Sequence, residues 1–212
     1  MMPPMAIYLD DQPLELQDAD LESALASATA HLAATGRVVV EVQLDGEPLV
    51  GDALDQQQTT VLGDLELRLY SADPQELSVL TLRQIRDRLE DAREAQAQAA
   101  QLLQEDQQSL AMGQVMRVIE IWQQTQQAVL HCVQLLGVDL DGKQVDGHSV
   151  TQVTDALLEQ LRGLRSLLSS RDTVGLADVM AYEWPGTVDQ WDRFVTQLIG
   201  WIQQDCGRDT LS

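Results

Sequence analysis

The spacing of apolar residues along the chain changes character near residue 74. Before that point, apolar and polar side chains alternate in short runs, as at Leu65, Leu67 and Leu69, which is typical of β-strands. After it, apolar residues recur at intervals of three and four over long stretches, which predicts amphipathic helices. We therefore expect an α+β protein, with a small sheet domain over residues 1–73 and a helical bundle over residues 74–212.

The first part predicts two strands, one helix and two further strands. The predicted segments are strands over 6–9 and 13–16, a helix ending near Thr35, and strands over 37–44 and 65–70. Either Asp18 or Asp20 can cap the helix, and Gly36 can end it. Asp45 and Gly46 form a tight turn signal, and residues 56–60 are expected to be a polar loop.

Three segments of this first part carry a resemblance to a known fold. They are the helix followed by Arg37-Val38-Val39-Val40, the turn Asp45-Gly46-Glu47-Pro48-Leu49, and the strand Leu65-Glu66-Leu67-Arg68-Leu69. Their order resembles that of the ubiquitin-like β-grasp, with a ferredoxin-like split βαβ as the structural alternative. The resemblance implies a protein-binding module. Neither a C-terminal Gly-Gly pair nor a CxxC pattern is present, so conjugation and iron–sulfur chemistry do not carry over.

The second part predicts four helical stretches joined by short turns. They span about 75–104, 109–136, 149–168 and 172–204. Pro185-Gly186 lies inside the last stretch, so a kink or break is expected there, with Thr187 as the N-cap of a resumed helix. The four stretches form two αα-hairpins.

A weak echo links the two hairpins. Leu102-Leu103 with Asp106, and Leu167-Leu168 with Asp172, recur about 65 residues apart. One interpretation is a duplicated hairpin that builds a groove, and the other is that leucine-rich hairpins simply resemble one another.

Charge narrows the choice of partners. The chain has 13 basic and 34 acidic residues and a formal net charge of −21, of which −12 falls on residues 1–73. Such a chain repels phosphate backbones and anionic membrane surfaces, so we expect neither nucleic acid nor a membrane as partner. The N-terminus has no signal-peptide pattern, no apolar run is long enough to span a membrane, and the two cysteines form no CxxC. We expect a cytoplasmic protein, of bacterial origin.

The motifs of familiar catalytic and metal sites are missing from the sequence. The three histidines, His31, His131 and His148, form no HExxH or Glu-x-x-His pattern. The Asp-rich stretch 139–150 departs from the EF-hand ligand spacing and is better interpreted as an interhelical loop with Ser149 as helix cap. No phosphate-binding loop or GxSxG elbow occurs. We therefore assign no catalytic residue, metal ligand or cofactor, and enzymatic activity is disfavoured.

One stretch, residues 176–185, concentrates aromatic, sulfur-containing and acidic side chains. One interpretation of this mixture is a binding patch, and the other is that its aromatic residues close the end of the bundle. Trp201 departs from the apolar stripe of the last helix, so partial exposure is expected there. The candidate partner-binding residues are Asp178, Tyr182, Glu183, Trp184 and Trp201.

These observations favour a non-enzymatic protein-interaction module: an adaptor, a scaffold or an export-type chaperone that holds a partner's amphipathic helix. That hypothesis predicts an exposed apolar groove between helices. A small-molecule or metal binder, or an enzyme, with a carboxylate-lined pocket is one alternative, for which the acids are Asp178, Glu183 and Glu120. Self-assembly is the other, through the leucine face formed by Leu157, Leu161, Leu164 and Leu168.

Overall fold

The computed structural model describes residues 6–16, 20–49 and 65–209, the last five of these by their backbone alone. The chain divides into two compact units, Met1–Leu77 and Ser78–Ser212. The first unit contains a five-stranded mixed sheet with one described helix, and the second is built mainly of helices. The predicted α+β class is therefore confirmed.

The sheet of the first unit has the strand order β2-β1-β5-β3-β4. Its central strands β1 and β5 are parallel, and every other neighbouring pair is antiparallel. This β-grasp-like arrangement is the one predicted from the order of segments. The elements are β1 (Ile7–Leu9), β2 (Gln12–Pro13), α1 (Leu21–Leu32), β3 (Val38–Leu44), β4 (Glu47–Pro48) and β5 (Leu67–Ala72).

Alternation along the strands gives the sheet one buried face. On β5, Leu67 and Leu69 are buried whereas Arg68 between them is partly exposed, as the period of two requires. The buried residues of β1, β3 and β5 form one hydrophobic cluster with one side of α1. The helix contributes Leu21, Ala24, Ala28 and Leu32 to that cluster.

The turns of this unit follow the sequence signals closely, although two element ends differ. Asp45 and Gly46 have φ angles of 49° and 83°, as a type I′ hairpin turn requires. The Asp20 carboxylate accepts from the Ser23 N–H and caps α1, whereas Asp18 lies outside the described residues. The second strand is Gln12–Pro13 rather than 13–16, and α1 ends at Leu32 rather than near residue 35. The predicted polar loop at 56–60 lies outside the described residues.

The helical unit contains four main stretches, as predicted. Its elements are α2 (Pro74–Gln104), α3 (Gln108–Leu136), β6 (Gln144–Val145), β7 (His148–Ser149), α4 (Val150–Ser170), α5 (Thr173–Asp178), a π-helical turn (Val179–Glu183) and α6 (Trp184–Asp209). The first four residues of α2 belong to the sheet unit. None of the helices in the described part of the chain is long and apolar enough to cross a membrane.

Side-chain contacts set the order of the helices around the bundle. Arg88 of α2 donates to Gln124 of α3, and the Cys132 thiol of α3 donates to the Ser78 carbonyl of α2. Helices α2 and α3 are therefore antiparallel. The α6 carboxylates of Asp192 and Asp189 accept from Arg86 and Arg93, so α2 and α6 are also antiparallel. On the far side, the Thr187 hydroxyl of α6 donates to Gln160 of α4 at 2.7 Å.

The last helical stretch is interrupted earlier than its proline suggests. The Trp184 N–H donates to the Val179 carbonyl, five residues back, so a π-helical turn precedes Pro185. Because proline lacks an N–H, this wider turn lets the helical path continue through Pro185. The prediction that Thr187 caps a new helix is wrong, since α6 begins at Trp184 and the Thr187 side chain bonds to α4.

The loop before α4 contains a small hairpin that the sequence did not reveal. Gln144–Val145 pairs with His148–Ser149 across a turn at Asp146 and Gly147. Ser149 then caps α4, as predicted, and Gln152 completes a reciprocal capping box.

The echo of about 65 residues coincides with equivalent helix ends. Asp106 and Arg171 both have left-handed φ angles, of 58° and 56°, and each is followed by an N–H that donates five residues back. This is the Schellman arrangement, which also ends α3 at Gly137. The echoed leucine pairs therefore precede the same kind of helix end, whereas the echoed acids are not equivalent, because Asp106 is the left-handed residue and Asp172 follows one.

Candidate functional site

Helices α3 and α4 leave an apolar groove between them, which we call the α3–α4 groove. It consists of two adjoining cavities, of about 730 and 560 Å³, which share Gln123, Gln126 and Leu158 as lining residues. In the first, residues 123–133 of α3 lie opposite residues 150–158 of α4, and in the second, residues 116–126 lie opposite residues 158–168. The two helices are therefore antiparallel along the groove.

Pairs of adjacent apolar residues produce this groove. On α4, Leu157 and Leu164 are seven residues apart and are buried in the core. Their neighbour Leu158, together with Leu161 and Leu168, lines the groove instead. The apolar stripe of α4 is thus wider than the face that packs in the core. The leucines along its outer side are separated from α3 by the groove.

The groove has a rigid aromatic floor. Trp191 and Phe194 of α6 line it from below, and each is almost completely buried. Trp191 packs edge-on against Phe194 and against Trp122, with ring centroids 5.4 and 5.6 Å apart. Trp122 in turn packs edge-on against Trp184 at 5.8 Å. This chain of four rings joins α3 to α6, so the floor belongs to the hydrophobic core.

The edges of the groove expose large apolar side chains to solvent. Met116 on α3 is 57% exposed, Leu130 on α3 is 53% exposed, and Leu158 on α4 is 40% exposed. Single exposed leucines are ordinary on a protein surface, but these three line one continuous concave surface. An arrangement of this kind is typical of a surface that another molecule covers.

The groove is less acidic than the protein around it. Helices α3 and α4 have no net charge, because Arg117, Arg162 and Arg165 balance Glu120, Asp155 and Glu159. Arg162 and Arg165 line the end of the groove near Met116 and Leu168, and they are the charged residues among those lining the two cavities.

Two aspartates lie beside the opposite end of the groove. Leu140 lines that end, and its sequence neighbours Asp139 and Asp141 are both exposed. The Asp139 carboxylate accepts from the Asp141 N–H, which holds this acidic turn in a defined shape. Two arginines therefore line one end of the groove, and two exposed aspartates lie beside the other end without lining it.

A second cavity, of about 780 Å³, lies between α2 and α6, and we call it the α2–α6 cleft. Arg86 donates to Asp192 at 2.7 Å, and Arg93 donates to Asp189 at 2.7 Å. These hydrogen-bonded carboxylates raise the pKa of both guanidinium groups. Four arginines and four acids line the cleft: Arg83, Arg86, Arg93, Arg193, Asp87, Glu90, Asp189 and Asp192. The cleft is thus spanned by ion pairs between its own two walls.

The residues predicted to bind a partner line neither the α3–α4 groove nor the α2–α6 cleft. Asp178 and Glu183 are exposed, and Tyr182 is 77% exposed. Trp184 is fully buried against Trp122, so the predicted partner-binding role does not fit it.

Trp201 is half-buried, as expected, and the Lys143 ammonium lies 5.0 Å from the centre of its ring. A partner-binding role for Trp201, Tyr182, Asp178 and Glu183 stays a prediction.

The acids proposed for a carboxylate-lined pocket are not brought together with either cavity. Glu120 is exposed and accepts from Gln124, and neither it nor Asp178 or Glu183 lines the groove or the cleft. Within the described ranges, no cluster of three or more His, Cys, Asp or Glu side chains is placed to hold a metal ion. Cys132 is a buried core residue, and burial raises the pKa of its thiol.

Sequence reasoning named Leu161 and Leu168 only for self-assembly and missed the other apolar residues that line the groove. Their signal is the doubling of apolar residues at Val129-Leu130 and Leu157-Leu158, which places an extra side chain beside the core-facing stripe. No protein-family model, curated protein or solved structure matches this chain. The class defined by its own fold and site is an α+β protein with a β-grasp-like unit and a helical unit that carries an open apolar groove.

Proposed function

We propose that this protein is a non-enzymatic protein-interaction module whose α3–α4 groove binds an amphipathic helix of a partner protein. The observation that supports the proposal most strongly is the exposure of Met116, Leu130 and Leu158 along a groove with a buried aromatic floor. Apolar grooves between helices bind the apolar face of a further helix, with anchors at intervals of three and four residues. An adaptor, a scaffold or an export-type chaperone would use such a groove.

The length of the groove favours a helix as its occupant. The wall formed by α3 runs from Met116 to Val133, which corresponds to about 26 Å at 1.5 Å per residue. A helix of about 17 residues, or nearly five turns, spans that distance. Its apolar stripe would cover the exposed leucines and methionine, while its polar face would remain in solvent.

A second copy of this chain is disfavoured as the occupant. Each copy has a net charge of −21, so two copies repel each other over most of their surfaces. The leucine face considered for self-assembly is also divided, because Leu157 and Leu164 are buried in the core whereas Leu161 and Leu168 line the groove. We further propose a cytoplasmic location, since the buried Cys132 is a free thiol.

Binding of a designed peptide tests the proposal. The probe is an 18-residue fluorescent peptide with leucines at intervals of three and four and neutral polar residues elsewhere, followed by fluorescence anisotropy. The change Leu158→Glu puts a charge into the groove, and we expect it to weaken binding about 30-fold or more, because an unpaired charge is costly in apolar surroundings. Leu110→Glu is the matched control, since Leu110 is an exposed leucine of α3 outside the groove.

The control variant should bind the peptide within about threefold of the unmodified protein. Equal weakening by the two changes, or no binding by the unmodified protein at micromolar concentrations, would contradict the proposal.

A further inference from the structure

We propose that the helix bound in the α3–α4 groove is charge-segregated, with acidic residues at the end near Arg162 and Arg165 and basic residues at the end near Asp139 and Asp141. This inference rests on the proposed function and adds the chemistry of the partner. It follows from the juxtaposition of an apolar groove with two arginines that line one end and two exposed aspartates beside the other.

The positive end lies within a lining that is otherwise uncharged. Arg162 and Arg165 are one turn apart on α4, and both line the cavity that also contains Met116 and Leu168. Arg162 donates to Glu159 on its own helix, in an exposed pair that a partner carboxylate can replace at little cost. An acidic residue near this end of the bound helix would therefore meet two guanidinium groups beside an apolar surface.

Acidic residues lie beside the other end of the groove. The exposed Asp139 and Asp141 flank Leu140, which lines the groove where α3 ends and α4 begins. A basic residue at that end of the occupant would lie near these carboxylates, within the distance over which charges act at low salt.

The acidic surface outside the groove explains why the bound helix should carry its acidic and basic residues at opposite ends. Away from the groove the surface is acidic, so a helix that is acidic throughout would be repelled by most of what surrounds its binding site. A helix that is basic throughout would meet Arg162 and Arg165 unfavourably. Because salt at physiological concentration screens charges beyond about 8 Å, the local charges at the two ends decide the preference.

Two peptides of identical composition separate this inference from the proposed function. Both are 18 residues long and share the leucine face, two glutamates and two lysines. In the segregated peptide the glutamates occupy the first two turns and the lysines the last two, whereas in the mixed peptide each end has one of each. A helix can enter the groove in either direction, so the segregated peptide can always match the two ends.

For the unmodified protein, we expect the segregated peptide to bind about tenfold more tightly than the mixed peptide at 50 mM NaCl. The preference should fall to about two- to threefold at 0.5 M NaCl, because salt screens the exposed charges at the two ends of the groove. The double variant Arg162→Glu, Arg165→Glu makes both ends acidic, so it should lose the preference. Comparing the ratio of affinities between the two proteins removes any difference in the helicity of the free peptides.

The possible outcomes distinguish the two proposals. Equal binding of both peptides by the unmodified protein, with loss of binding in Leu158→Glu, overturns the charge inference and leaves the groove function standing. A preference that persists in the double variant overturns the inference as well. Failure of both peptides to bind overturns the proposed function and, with it, the inference.

Discussion

The α2–α6 cleft and the larger cavity of the α3–α4 groove are similar in size but differ in what lines them. The cleft, of about 780 Å³, is crossed by Arg86–Asp192 and Arg93–Asp189 pairs, so its two walls already bind each other. The groove, of about 730 Å³ in its larger part, brings apolar side chains together with no bond across it among the contacts described. The difference teaches that volume alone does not identify a binding site, because one cavity is satisfied internally and the other leaves apolar surface in water.

The largest effect is expected at the floor of the groove. Trp191→Ala removes a ring that is 1% exposed and packs against Trp122 and Phe194, so the free energy of unfolding should fall by about 3–5 kcal/mol. Denaturant unfolding measures the loss. Trp201→Ala is the matched control and should lose less than half as much, because Trp201 is only half-buried. A loss below about 1 kcal/mol for Trp191→Ala would mean that the floor is a mobile wall and not part of the core.

A smaller effect should show that the Thr187 hydrogen bond joins α4 to α6. The Thr187 hydroxyl donates to Gln160 between α6 and α4, and Thr187 is buried. Thr187→Val removes that hydrogen bond at nearly constant volume and should cost about 1 kcal/mol in the free energy of unfolding. Thr196→Val is the control. It removes an exposed hydroxyl that donates only to the carbonyl of Asp192 in its own helix, so it should cost less than Thr187→Val. Equal losses in the two variants would contradict the claim that the Thr187 bond joins α4 to the bundle.

The smallest effect is expected from the ion pairs of the cleft. Arg93 is 37% exposed in its side chain, and its partner Asp189 is 54% exposed, so water screens their attraction. A double-mutant cycle with Arg93→Ala and Asp189→Ala should give a coupling energy of about 0.2–1 kcal/mol that shrinks at high salt. The same variants should bind the leucine peptide normally. Weakened peptide binding would show that the cleft, and not only the groove, is part of the interaction surface.

Local features were predictable from the sequence because they depend on neighbouring residues. Alternation identified the buried face of Leu67 and Leu69, and the serine before an apolar run identified the cap at Ser149. The position of the helix interruption was missed because the π-helical turn that accommodates Pro185 begins upstream of it, where the Val179 carbonyl accepts from the Trp184 N–H. Hydrogen-bond shifts of this kind leave no mark in the apolar spacing.

Predicting which residues line the groove requires knowing which helices are neighbours, and the sequence does not give that. The pair Leu157-Leu158 indicates a widened apolar stripe, but its meaning depends on which helix lies beside α4. Only the fold shows that one leucine is buried in the core and that the other faces α3 across open space. The aromatic residues around Trp184 attracted attention by composition, whereas Trp184 itself is fully buried.

The central claim is that a partner helix lies in the α3–α4 groove, and methionine methyl NMR tests it most directly. With ¹³C-methyl methionine in the protein, Met116 reports on the groove edge and the fully buried Met180 reports on the core. The account predicts that saturating leucine peptide shifts the Met116 methyl signal, assigned through Met116→Leu, and leaves the Met180 signal in place. A Met116 signal that does not move when the peptide is fully bound would contradict the account.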